Sequence, residues 1–118
     1  LTQNTLLYKG HMYVKLERHE DACRVFHMAY NRGLTNRGSR KQSTNNYAMA
    51  VNNVYVCRAL FEGVTVQLVD EAFNILCTIL EKESGVLRSR VKEKLDNNIN
   101  KLQEWKVRKE PIRINFMY

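Results

Sequence analysis

The amino-acid sequence predicts an all-α fold built from antiparallel helical hairpins. Between turns, apolar residues recur at intervals of three and four, which is the spacing of a helix face. The chain is broken into periodic segments at Gly33, Gly38, Gly63 and Gly85, and its one proline is Pro111. With 118 residues, of which 44% are hydrophobic and 26% charged, it has the size and composition of one domain.

The first hairpin is predicted over residues 1–36. Its first helix ends near Glu17, and the turn "HED" supplies acids that favour the start of a second helix. The apolar face of this hairpin comprises Leu6, Leu7, Tyr13, Leu16, Ala22, Cys23, Val25, Phe26 and Ala29. The small residues Gly10 and Ala22 are expected where the two backbones approach each other, with Tyr13 and Phe26 filling the volume beside them.

Residues 31–46 are predicted to form a loop, because they contain two glycines, no acids and almost no apolar side chain. Its central part, 37–44, is basic. Ser43 or Thr44 is expected to cap a third helix that starts near Asn45. A fourth helix over 69–82 completes a second hairpin, 45–84.

The longest segment, 86–109, is predicted to be a helix that caps the array. Its apolar stripe consists of Leu87, Val91, Leu95, Ile99, Leu102 and Trp105, while its other face is charged. After Pro111 the tail, 110–118, alternates apolar and polar residues as an extended segment does.

The first hairpin resembles a tetratricopeptide repeat over roughly residues 3–36. The family's pattern of small, aromatic, alanine, aromatic and alanine residues matches Gly10, Tyr13, Ala22, Phe26 and Ala29 without a gap, although Leu34 stands where a proline usually closes the repeat. Residues 45–84 resemble a second, degenerate repeat in which the roles fall to Ala72, Leu76 and Ile79. The resemblance implies an α-solenoid, capped by the last helix, that binds other proteins.

A second resemblance concerns RNA-binding proteins. "ACRVFHMAYNRGL" is similar to the end of a pentatricopeptide repeat, in which Ala22, Phe26 and Gly33 fit and Met28 is one residue early. Such repeats bind single-stranded RNA, mostly in organelles. The tetratricopeptide interpretation is preferred, because no second copy shows the pentatricopeptide pattern.

The positive charge of the chain, +7, is concentrated in one window. No acidic residue lies between Asp21 and Glu62, and this basic patch contains Arg24, Arg32, Arg37, Arg40, Lys41 and Arg58. Such a patch attracts phosphates, RNA or an acidic protein surface, or it serves as a solubilising loop.

The sequence favours neither catalysis nor a cofactor. No glycine-rich phosphate loop, HExxH or GxSxG motif occurs, and the cysteines have no histidine partner at a motif spacing. His19, Cys23 and His27 are four residues apart, a spacing that could bind zinc, but core packing is the favoured interpretation and no metal is expected.

The concave face of the repeats predicts a groove for a partner's helix or extended segment. The candidate groove residues are Asn4, Leu7, His11, Val14, Lys15, Asn53, Cys57 and Leu60. Leu7 and His11 stand where a chaperone-tail clamp has Lys and Asn, so an acidic chaperone tail is not the expected ligand. The alternative is that the chain's own tail fills the groove through Ile112, Ile114 and Phe116.

Taken together, these patterns predict a non-catalytic scaffold or adaptor that binds a protein partner within a larger assembly. The alternative is an RNA-associated repeat protein that binds phosphates through window 24–58. No stretch approaches 18 uninterrupted apolar residues, so no membrane insertion is expected. Three cysteines within apolar segments predict buried thiols and an intracellular protein of the cytoplasm, with an organelle or the nucleus as alternatives.

Overall fold

The chain folds into helices that pack mostly against their neighbours in the sequence, as its computed structural model shows for residues 2–35, 40–108 and 114–117. The five helices of these ranges are α1 (Gln3–Lys15), α2 (His19–Thr35), α3 (Arg40–Glu62), α4 (Val66–Glu83) and α5 (Ser89–Arg108). Helix α3 is central, because it contacts all four others. The predicted all-α class is confirmed.

Helices α1 and α2 pack closely at Gly10. This glycine is buried against the ring of Phe26, and a Cβ placed on it would lie 2.7 Å from both Cδ1 and Cζ of that ring. Ala22, Phe26 and Ala29 are fully buried. The prediction of close approach at Gly10 is confirmed, but the side chain that uses the space is Phe26 rather than Ala22.

Helix α1 ends in a left-handed residue. Glu17 has φ 58°, its N–H donates to the Val14 carbonyl at 3.0 Å, and the Arg18 N–H donates to the Tyr13 carbonyl at 2.9 Å. These two bonds satisfy carbonyls that the last turn would leave unpaired, which is the arrangement that glycine usually adopts after a helix.

Residues 31–35 and 40–46 of the predicted loop are helical, so the prediction was wrong for them, while 36–39 lie outside the described residues. Helix α2 continues to Thr35 and α3 starts at Arg40, which places Ser43 and Thr44 within the helix instead of at its cap. The buried Asn45 attaches this polar stretch to another part of the chain. Its Nδ2 donates to the carbonyls of Lys41 and Val86, and its Oδ1 accepts from the Arg88 N–H at 2.8 Å. The first turns of α3 are therefore held by the α4–α5 connection.

The second half of the chain follows the predicted apolar stripes more closely. Helix α4 begins one turn earlier than predicted, because Thr65 caps it by accepting a hydrogen bond from the Leu68 N–H at 3.1 Å. Helix α5 begins at Ser89 rather than at Val86. Its stripe is confirmed: Leu87, Val91, Leu95, Ile99 and Leu102 are buried, and Trp105 packs against the same core.

Two of the three cysteines form a disulfide, which corrects the expectation of buried thiols. Cys23 of α2 is bonded to Cys57 of α3, with 5.7 Å between their Cα atoms, while Cys77 is a free thiol. Disulfides of this kind form and persist in oxidising compartments. The predicted cytoplasmic location is therefore wrong, and the bond indicates an extracytoplasmic, oxidising environment. None of the helices in the described ranges has the length and hydropathy to cross a membrane.

Candidate functional site

Residues 114–117 lie against the helices as a short non-helical segment. Ile114 and Met117 are buried, the side chain of Asn115 is exposed, and that of Phe116 is partly buried. The segment belongs to the tail for which the sequence predicts an extended conformation, and its Ile114 and Phe116 are two of the three residues proposed to fill the groove. Ile112 lies outside the described residues.

Asn98 of α5 binds both backbone groups of Asn115. Its Oδ1 accepts a hydrogen bond from the Asn115 N–H at 3.1 Å, and its Nδ2 donates to the Asn115 carbonyl at 3.0 Å. A side-chain amide has one acceptor oxygen and two donor hydrogens. Asn98 uses its donor capacity for a further hydrogen bond, to Asn52 Oδ1 at 2.7 Å. Asn98 thus takes the place that a neighbouring strand would have.

Asn53 of α3 repeats the arrangement two residues later. Its Oδ1 accepts from the Met117 N–H and its Nδ2 donates to the Met117 carbonyl, both at 2.6 Å. Between the two pairs, Asn52 donates to the Asn115 carbonyl at 2.9 Å and to Asn53 Oδ1 at 3.2 Å. Residues 115 and 117 present their backbone groups to the same side, as alternate residues of an extended chain do. We call Asn52, Asn53 and Asn98 the asparagine triad.

The side chains of the segment occupy separate sites beside the asparagine triad. The ring of Phe116 stacks on Phe26, with 5.5 Å between ring centroids, and on His19 at 6.2 Å. Ile114 fits a tight apolar pocket formed by Ala59, Val64, Leu68, Val69, Ala72 and Leu102. The segment therefore connects both hydrophobic clusters of the molecule.

Open cavities adjoin the segment on two sides. One, of about 390 Å³, is lined by Val14, Lys94, Asn97 and Asn98 together with residues 115–117. The other, of about 200 Å³, is lined by Val14, His19, Val56, Ala59, Leu60, Val64 and residues 114–116. The segment thus fills part of a longer depression between α1, α3 and α5, which we call the groove.

Positive charge gathers where α1 and α5 face each other. Burial lowers the pKa of His11, and the nearby charges of Lys15, Lys94 and Arg90 lower it further. Burial also lowers the pKa of Lys94, and Arg90 adds to the effect. Protonation of His11 is disfavoured because it would place another positive charge among these three cations.

The predicted groove residues are divided between the groove and the core. Asn53 binds the segment, Val14 and Leu60 line cavities beside it, and His11 interacts with charges on α5. Leu7 is buried in the α1–α2 core, and Cys57 is engaged in the disulfide, so neither offers a free side chain to a partner. Asn4 and Lys15 are exposed on α1.

Several residues that contact the segment were not among the predicted groove residues, including Asn52, Asn98, Phe26 and His19. A signal existed for the asparagines. Asn98 lies three residues after Leu95 and four before Leu102, and is thus on the buried stripe of α5, as Asn52 is between Ala48 and Val56 on α3. A polar residue on a buried stripe must find hydrogen-bond partners, which here are the backbone groups of another segment.

The predicted basic patch is partly neutralised. Arg24 pairs with Asp21, and Arg58 pairs with Glu62 and Glu71 at 2.9 and 2.8 Å. These carboxylates raise the pKa of Arg58, while its guanidinium lowers the pKa of Glu71. Arg32 and Lys41 are exposed, whereas Arg37 and the side chain of Arg40 fall outside the described parts of the chain.

The spacing of His19, Cys23 and His27 does not produce a metal site. Cys23 is consumed by the disulfide, His27 Nδ1 lies 2.9 Å from the Cys23 carbonyl, and His19 stacks on Phe116. Within residues 2–35, 40–108 and 114–117, no three His, Cys, Asp or Glu side chains are grouped to hold a metal ion.

Comparison of this chain with protein-family models, with curated proteins and with solved structures gave no match.

Proposed function

We propose that this chain is a non-catalytic helical scaffold whose groove binds an extended segment of a partner protein within a larger assembly. The tetratricopeptide-like pattern of residues 3–36 supports the finer assignment of its helices to successive hairpins of a short α-solenoid. The observation that carries the proposal is the pairing of Asn98 and Asn53 with the backbones of residues 115 and 117.

This pairing supports binding of a partner because it recognises backbone rather than side chains. An amide that both donates to and accepts from one residue fits any extended chain without proline at that residue, as in binding by strand addition. Residues 114–117 are joined to α5 only through 109–113, and most of their hydrogen bonds go to the asparagine triad. A partner segment of the same form can therefore replace them.

The experiment uses the full chain with Asn115→Pro and Met117→Pro. The two substitutions remove the N–H groups that donate to Asn98 and to Asn53, while proline still permits an extended backbone. A fluorescent peptide with the sequence of residues 110–118 is titrated into this variant, and anisotropy is recorded. We expect saturable binding, and weaker binding to the unaltered chain, whose own segment competes at an effective concentration on the order of millimolar.

Control variants distinguish binding of the peptide in the groove from non-specific binding. Adding Asn98→Asp to the double-proline variant should weaken binding about 10-fold or more, because a carboxylate cannot donate to the peptide carbonyl. Asn100→Asp, at an exposed site on the same helix, should leave it unchanged. Circular dichroism checks that each variant keeps its helices. The proposal fails if the well-folded double-proline variant binds no peptide, or if Asn100→Asp weakens binding as much as Asn98→Asp.

A further inference from the structure

We propose that the groove selects a defined class of segment: an aliphatic residue, then any residue, then an aromatic residue, then a large unbranched apolar residue. This inference rests on the proposed function and specifies its ligand. The order follows from how the four positions occupied by residues 114–117 differ in burial, in room and in hydrogen bonding.

The first position is the most restrictive in size. Ile114 is 7% exposed and meets six apolar side chains from α3, α4, α5 and the α3–α4 turn. The space left between Ile114 and these side chains is about 10 Å³, room for about one water molecule and far less than an indole ring needs. An aliphatic side chain of the size of isoleucine fits this pocket, whereas an indole ring would overpack it.

The third position accepts flat rings. Phe116 stacks on Phe26 and His19, and its own side chain is only partly buried. The cavities of about 390 and 200 Å³ both adjoin Phe116, so a larger ring can extend without displacing a helix, whereas Ile114 borders the smaller of the two and its own tight pocket. Aromatic side chains favour the stacked arrangement that Phe116 makes with Phe26 and His19, and tryptophan has a larger ring face than phenylalanine. Tryptophan is therefore expected to be accepted at the third position.

The second and fourth positions differ in their side chains but share backbone recognition. Asn115 is exposed while its N–H and carbonyl are bound by Asn98, so any residue except proline is accepted there. Met117 is 1% exposed and joins the main hydrophobic core, while its backbone is bound by Asn53. A long apolar side chain is therefore required at the fourth position.

The test compares five peptides with the sequence of residues 110–118 on the double-proline variant. They carry the parent sequence or the equivalent of Asn115→Ala, Ile114→Trp, Phe116→Trp or Met117→Asp. We expect Ile→Trp and Met→Asp to weaken binding about 10-fold or more, and Asn→Ala and Phe→Trp to stay within about threefold of the parent.

The outcomes distinguish this inference from the proposed function. If the parent peptide fails to bind, the proposed function itself is wrong. If the parent binds but Ile→Trp and Phe→Trp change its affinity equally, the groove binds extended segments without the proposed selection, and only this inference is overturned.

A second measurement needs no peptide and no proline variant. Ile114→Trp and Phe116→Trp are introduced separately into the unaltered chain, and thermal unfolding is followed by circular dichroism. We expect Ile114→Trp to lower the melting temperature clearly and Phe116→Trp to change it little. Equal losses would contradict the assignment of tight and open positions.

Discussion

Gly10 is the residue on which the contact between α1 and α2 depends. Its missing side chain admits the Phe26 ring, which in turn supports Phe116 of the groove. A methyl group added at Gly10 would therefore disturb both the α1–α2 core and the groove.

Gly10→Ala is expected to destabilise the chain by about 1–3 kcal/mol, because the new Cβ overlaps a buried ring that has no free space. The matched control is Gly85→Ala, where a Cβ would meet nothing within 4 Å. Denaturant unfolding followed by circular dichroism measures both. Equal effects of the two substitutions would contradict the packing described for Gly10.

Glu17→Gly is expected to stabilise the chain by about 0.5–1 kcal/mol. Glu17 has φ 58°, a conformation that costs a residue with a Cβ about 1–2 kcal/mol, and glycine adopts it freely at some cost in unfolded-state entropy. Thermal unfolding provides the measurement. A lower melting temperature would mean that the Glu17 side chain makes a compensating contact.

His11 is expected to make the chain less stable in mild acid. Its pKa in the folded state is lowered from 6.5 by burial, Lys15, Lys94 and Arg90, so the unfolded chain binds its proton more readily. The stabilisation that neutral His11 contributes is fully present above the pKa of the unfolded chain. It is lost as the pH falls through the lowered pKa of the folded chain. Unfolding free energies of the unaltered chain and of His11→Gln, between about pH 7.5 and about pH 5.5, should differ in slope. Parallel profiles would contradict the prediction.

At the scale of elements, polar side chains define where helices and segments meet. Asn45 holds the start of α3 to the α4–α5 connection, and the asparagine triad holds 114–117 to α3 and α5. Such buried amides fix the position of the opposing backbone as well as stabilising the contact, because only one placement of that backbone satisfies their hydrogen bonds.

Asn98→Asp in the unaltered chain should lower the free energy of unfolding by about 1–3 kcal/mol. A carboxylate loses the donors to Asn52 and to the Asn115 carbonyl and is buried without them. Asn100→Asp, exposed on the same helix, should stay within about 0.5 kcal/mol of the unaltered chain. Hydrogen exchange at the Asn115 amide offers a local check: aspartate can still accept its hydrogen bond, so faster exchange in Asn98→Asp alone reports that losing the two donor bonds loosens the segment.

In the molecule as a whole, the disulfide joins α2, which carries the Phe26 ring under Phe116, to α3, which carries Asn52 and Asn53 of the triad. Cys23 lies one turn before Phe26, and Cys57 lies one turn after Asn53. Reduction is therefore expected to loosen α2, which supports the aromatic stack, and α3, which carries Asn52 and Asn53 of the triad.

Removing the disulfide should cost about 3–4 kcal/mol, the loop-closure value for a separation of 34 residues. Cys23→Ala with Cys57→Ala, unfolded by denaturant beside the oxidised chain, measures this difference. Thiol alkylation of the oxidised chain in denaturant should modify Cys77 alone, and all three cysteines only after reduction. Three reactive thiols before reduction would contradict the bond.

The helices whose apolar residues repeat without interruption could be predicted from the amino-acid sequence. The stripe of α5 and the small residues of α1 and α2 were predictable, because a periodic face must be buried whatever covers it. The sequence did not determine the elements that depend on distant partners. The first turns of α3 are polar, and two of the three hydrogen-bond partners of Asn45 within them lie more than 40 residues away.

The site was predictable only in part for the same reason. Spacing placed Val14 and Asn53 on an inner face, but the pairing of Asn98 with Asn115 and of Cys23 with Cys57 joins different elements. Local periodicity reports which side of a helix is covered, not which segment covers it. The sequence offered a tail in the groove as an alternative, but only the packing of distant elements shows that three asparagines bind this segment and that two cysteines are close enough to bond.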